Sequence, residues 1–85
     1  MEFLNDAQFV VDPFNSVMFG VNSNGNKIRC FITSDALNDH FKGDGCGDYV
    51  ALYKTHKSAI NLKVAQLIQQ NMAVNGDLII TTKYF

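Results

Sequence analysis

Asn24-Gly25 lies between two runs of strand-forming residues, 16–21 and 27–32, and no other feature constrains the fold as strongly. A two-residue type I′ hairpin turn needs positive φ at both central positions, which Asn and Gly tolerate best. Such a turn sets the register: residues whose numbers sum to 49 face each other. Val21 then opposes Ile28, Phe19 opposes Cys30 and Val17 opposes Ile32, so one face carries only apolar or thiol side chains. The other face pairs Met18 with Phe31, Gly20 with Arg29, and Asn22 with Lys27. A slip of one residue would turn the whole apolar set to solvent, so turn chemistry and hydrophobic pattern independently select the same register.

An apolar sheet face needs a cover, and residues 49–72 read as a long helix able to supply it. At about 100° per residue, Leu52, His56, Ala59, Ile60, Lys63 and Leu67 share one side, with Tyr53 and Val64 at its margin. Leu62, Ala65, Ile68 and Met72 lie off that stripe, so the helix calls for burial on more than one side. Around these two elements, residues 9–11 read as a short strand closed by the turn dipeptide Asp12-Pro13, while residues 3–7 give no signal. Thr33 or Ser34 caps a short helix over 35–41, and Asp48 caps the long one after the loop 43–48. Asn75-Gly76 is a helix stop or turn, and 77–82 is a last strand continuing towards Phe85. The order β-β-β-α-α-β predicts an α+β two-layer sandwich, with two helices on one face of a mostly antiparallel sheet. The neighbour of the last strand is left open.

Eighty-five residues make one domain, 1–85, which buries about 60–65% of its extended-chain surface. At 47% hydrophobic and 18% charged, the composition is that of a globular chain. No run approaches the roughly 20 apolar residues of a membrane span. Met1-Glu2-Phe3-Leu4-Asn5-Asp6 lacks the basic head and apolar run of a signal peptide, so the expected location is cytoplasmic, with both cysteines as thiols. A net charge of −1 argues against nucleic-acid binding driven chiefly by phosphates. Asp35, Asp39, Asp44 and Asp48 precede the long helix, and Lys54, Lys57 and Lys63 lie within it, a distribution that the helix dipole accounts for.

Cys30, His40, Cys46 and His56 are the soft metal-ligand types present, and their spacings of ten, six and ten match no zinc motif. The loop 43–48 has three glycines but neither the Gly-Lys-Ser/Thr ending of a phosphate loop nor the acidic spacing of a calcium loop. His56 beside Tyr53 has no serine or cysteine placed by a local motif to activate, and Lys63 reads as a snorkelling side chain. No catalytic, metal or cofactor residue is therefore assigned. Cys30 is expected to be inert in the core and Cys46 an ordinary exposed thiol. The outer sheet face offers Met18, Lys27, Arg29 and Phe31. Aromatic plus basic residues on an open sheet can stack bases, but one aromatic and two cations fit better a half-exposed sheet face or one covered by another subunit.

The hairpin Val17-x-Phe19 … Gly25-x-Lys27-Ile28-x-Cys30-x-Ile32 runs into Ser34-x-x-Leu37-x-Asp39-His40-Phe41. Tyr53-x-x-His56-Lys57-x-x-Ile60 and Ile79-Ile80-Thr81-Thr82-x-x-Phe85 follow. Together these motifs resemble a family of short bacterial proteins, the domain of unknown function numbered 1488. The resemblance implies a small α+β domain of the bacterial cytoplasm and transfers no site. The reading that results is a non-enzymatic interaction or accessory protein. Its expected interaction surface comprises Met18, Lys27, Arg29, Phe31, Leu62, Ile68 and Met72. The expected partner is a second copy in a symmetric dimer or an unidentified protein, with no membrane. The alternative is a nucleic-acid-associated regulator using Lys27, Arg29 and Phe31, and a small enzyme comes third.

Overall fold

The hairpin forms in the expected register. In the computed structural model, which describes residues 1–85, Ser16–Ser23 and Asn26–Thr33 pair antiparallel from Ser16 opposite Thr33 to Ser23 opposite Asn26. Asn24 and Gly25 take φ of 53° and 82°, as a type I′ turn requires. The full order is β1 (Glu2–Phe3), β2 (Gln8–Val10), β3 (Ser16–Ser23), β4 (Asn26–Thr33), α1 (Ser34–Phe41), α2 (Tyr49–Thr55), α3 (Lys57–Gln69) and β5 (Asp77–Ile80). A 3₁₀ turn at Thr82–Tyr84 ends the chain.

The fold is α+β, with five strands and three helices where four and two were expected. The additional strand is β1, in the stretch without a sequence signal. It shares one side of β3 with β2, Phe3 lying opposite Val21 and Phe9 opposite Val17. Between them the chain arches past Gly20, whose carbonyl accepts from Leu4 N–H (2.9 Å) and whose N–H donates to the Asp6 carboxylate (2.9 Å). A Cβ at Gly20 would sit 2.8 Å from Leu4 Cδ1, the end of a side chain that would have to shift to admit it.

β5 lies at the opposite edge, parallel to β4, with Arg29 opposite Asp77 and Ile32 opposite Ile80. It stops at Ile80 rather than running towards Phe85. The reason is on α1: Thr82 donates its hydroxyl proton to Asp39 (2.8 Å) and lies 2.9 Å from His40 Nε2, which draws the chain off the sheet.

The long helix is two helices. The break is at His56, with φ −105° and ψ 19°, whose N–H is shared between the carbonyls of Leu52 and Tyr53 (both 3.1 Å). Its ring packs against Phe41 of α1, centroids 5.0 Å apart. The buried stripe is Tyr53, Ile60, Val64 and Leu67. Tyr53 and Val64, expected at the margin, are core, whereas Ala59 faces solvent. α3 ends at Gln69, short of Met72, because Asn71 turns left-handed (φ 58°). Asn71 N–H donates to Ile68 O and Met72 N–H to Leu67 O, the paired bonds of a Schellman motif. Asn75-Gly76 is thereby released to make a second turn with two positive φ values, closing Val74 onto Asp77.

Both expected caps form: Thr33 accepts from Ala36 N–H and Asp48 from Ala51 N–H. All three helices bury side chains against one sheet face. The core joins Val17, Phe19, Val21, Ile28, Cys30, Ile32, Leu78 and Ile80 to Ala36, Leu37, Tyr53, Ile60, Val64 and Leu67.

Candidate interaction surface

The uncovered sheet face and the β5 edge meet at Ile79. Strand alternation sends Leu78 and Ile80 into the core, 1% and 0% exposed, and turns Ile79 outwards, 43% exposed, opposite Phe31. The backbone direction follows from the hydrogen bonds. Arg29 N–H donates to Gly76 O (2.9 Å), so the even-numbered residues from Gly76 to Ile80 turn their amide groups towards β4. Those of Asp77 and Ile79 point away from the sheet. Asp77 exchanges both of its groups with Val74 (2.7 and 3.0 Å), which closes one end of the edge. Ile79 is the residue of β5 that presents its N–H and C=O at the open edge.

Beside this edge lies an open groove of about 350 Å³, lined by Met72, Val74, Asn75, Asp77, Ile79 and Tyr84. Four of the six are hydrophobic, and Met72, Val74 and Ile79 are exposed large hydrophobics. Asp77 is the charged member, and Arg29 grips it in a bidentate pair, Nε to Oδ1 at 2.8 Å and the terminal nitrogen to Oδ2 at 2.9 Å. The hydrogen bond and charge of Asp77 hold the Arg29 pKa above its ordinary value.

The expected surface residues separate. Phe31 stands on the outer face but is only 6% exposed, because Phe14 packs edge-on against it and the Arg29 guanidinium lies over its ring. Phe31 is thus covered and Arg29 engaged by Asp77, so the stacking platform of the alternative reading would have to use a Phe31 ring that is not open, and Lys27 remains exposed beyond them. Met18 is half-buried next to Phe31. Leu62 is 64% exposed, whereas Ile68 packs half-buried against the core. Met72 lines the groove. Val74, Ile79 and Tyr84 were missed. Alternation within Asp77–Ile80 carried a signal for Ile79 once its strand neighbour was known; nothing local marked the others.

The polar and thiol residues have structural settings. Asp39, Thr82 and His40 anchor the C-terminal turn: the Thr82 hydroxyl donates to the Asp39 carboxylate (2.8 Å), and His40 Nε2 lies 2.9 Å from that hydroxyl and 3.0 Å from the Thr82 carbonyl. Lys63 lies over the Phe85 ring, 5.9 Å from its centre. Cys30 is fully buried, and burial, then the charge of Asp6, pushes its pKa up to about 12. Cys46 is half-buried between left-handed Gly45 and Gly47, less open than the loop composition suggested. A thiol reagent on the native protein is expected to label Cys46 while sparing Cys30, and to label both after denaturation. Fast native labelling of Cys30, located by mass spectrometry of the digest, would contradict its placement in the core.

Fold and groove together define a small α+β domain with an apolar, partly open sheet edge. Residues 1–80 match the family model described as "Protein of unknown function (DUF1488)", and the chain belongs to that family. No curated protein and no solved structure matches it. No helix is long and apolar enough to cross a membrane.

Proposed function

We propose that this protein is a non-enzymatic interaction or accessory protein of the bacterial cytoplasm, working through the outer sheet face and the β5 edge. The observation that carries the reading is the groove between Met72, Val74, Ile79 and Tyr84, where apolar side chains stand exposed beside an incompletely paired strand. Apolar surface gathered at one place is the usual ground of a binding site. Affinity purification from the native host with mass spectrometry tests the class. A stoichiometric protein partner supports it; bound RNA in place of protein would move the reading to a nucleic-acid-associated regulator.

Self-association as a symmetric dimer belongs to the same proposal, with Met18 on the outer face and Leu62 on α3 as exposed or half-buried apolar positions. Light scattering on a size-exclusion column is expected to give the dimer mass. A clean monomer at high concentration would remove self-association and leave heterologous binding standing.

A further inference from the structure

We infer that the β5 edge takes an extended segment of a partner polypeptide, which pairs its main chain with Ile79 and sets an apolar side chain into the groove beside it. The inference rests on the interaction reading above and specifies the occupant. Two observations select a main chain in extended form. Ile79 presents a donor and an acceptor side by side at the sheet edge, the pattern another strand satisfies. The adjoining groove is lined by Met72, Val74 and Tyr84, placed to receive a side chain from such a strand. The charge pattern selects a neutral contact: Asp77 is already neutralised by Arg29, so no lining residue calls for an ionic partner.

The same geometry disfavours a second copy at this edge. Two β5 strands related by a two-fold at Ile79 would set Asp77 opposite Thr81 of the other copy. Asp77 is closed by the Val74 turn, and the 3₁₀ turn at Thr82–Tyr84 bounds the other end, leaving Ile79 alone to pair. A short partner segment can pair at Ile79 and bend away on either side of the two turns, which a β5 strand fixed in its own fold cannot do.

The test uses a phage-displayed library of short random linear peptides, selected on the full chain, with enriched peptides synthesised and titrated by calorimetry. Ile79→Pro deletes the outward N–H without touching a bond to β4, a substitution that an edge strand accommodates. Val74→Asp places a charge in the groove and keeps the backbone, so it serves if Ile79→Pro does not fold. Ser58→Asp, at an exposed position of α3 outside the proposed surfaces, is the control. The expected result is enrichment of peptides with alternating apolar residues. Their affinity should fall roughly tenfold or more in Ile79→Pro and Val74→Asp and hold in Ser58→Asp. Hydrogen exchange should show the Ile79 amide protected on binding. Failure to enrich any peptide, or binders indifferent to both edge variants, would overturn the inference, as would a dimer that Ile79→Pro dissociates. If a natural partner captured by the wild-type chain is held equally well by both edge variants, the edge assignment falls while the interaction reading survives. If no partner is captured at all, the broader reading falls with it.

Discussion

Tyr53→Ala is expected to bring this protein close to unfolding. Tyr53 is 1% exposed and stacks on Phe19 with ring centroids 4.6 Å apart, so it joins α2 directly to the centre of β3. Removing a large buried aromatic costs about 3–5 kcal/mol through lost transfer energy and the cavity left behind, and the stacked pair adds about 0.5–1.5 kcal/mol. An 85-residue domain has roughly 4–13 kcal/mol of total stability from which to lose it. The ring carries most of this. The hydroxyl donates only a long bond, 3.4 Å, to Asn61, so Tyr53→Phe is expected to cost about 1 kcal/mol or less. Urea unfolding of the two variants measures the difference. Equal losses in Tyr53→Ala and Tyr53→Phe would show that the polar end, not the ring, holds the helix to the sheet.

Alkaline pH is expected to destabilise the fold through the same region. Burial pushes the Cys30 thiol from its ordinary 9.0 up to about 12, with the Asp6 charge adding to it. Burial likewise raises Tyr53 from 10.0 to about 12, with the charges of Cys30 and Asp6 as lesser causes. Both groups are neutral in the folded protein over a range where the unfolded chain has already lost their protons. The native state therefore binds more protons, and stability falls as pH rises. The contribution is fully present below pH 9, is lost first through Cys30 and then through Tyr53, and is gone above about 12. The two contributions do not simply add, because part of the Tyr53 shift comes from Cys30. Urea midpoints measured from pH 8 upwards should decline steeply, and Cys30→Ala should flatten the early part of the decline. A midpoint unchanged between pH 8 and 11 would show that these groups meet water in the native state.

Much of the architecture was legible because it is locally encoded. Asn24-Gly25 permits one tight turn, and the period-two pattern around it permits one register, so the pairing from Ser16–Thr33 to Ser23–Asn26 could be read without any distant contact. Thr33 and Asp48 are caps because a short oxygen-bearing side chain satisfies the first amide groups of the helix that follows. The motifs that carried the family resemblance fall on this hairpin, on the helices and on β5, and the family model matches residues 1–80.

The candidate surface was legible only in part. Phe31 was placed on the correct face, yet its exposure depends on Phe14, from a separate segment, folding over it. Arg29 was placed beside it, yet its engagement depends on Asp77, 48 positions away in the chain.

The sequence by itself determined the elements that short-range sterics and hydrogen bonding can select: the hairpin and its register, the helix starts, the buried thiol and the α+β class. Tertiary structure decided the break at His56, where no glycine or proline stands and Phe41 packs against the ring. It also decided the parallel place of β5, the arch of Leu4–Ala7 over Gly20, and the groove beside Ile79. Each of these joins segments far apart in the chain. Their energies come from contacts that exist only after folding, and no local pattern of residues encodes them.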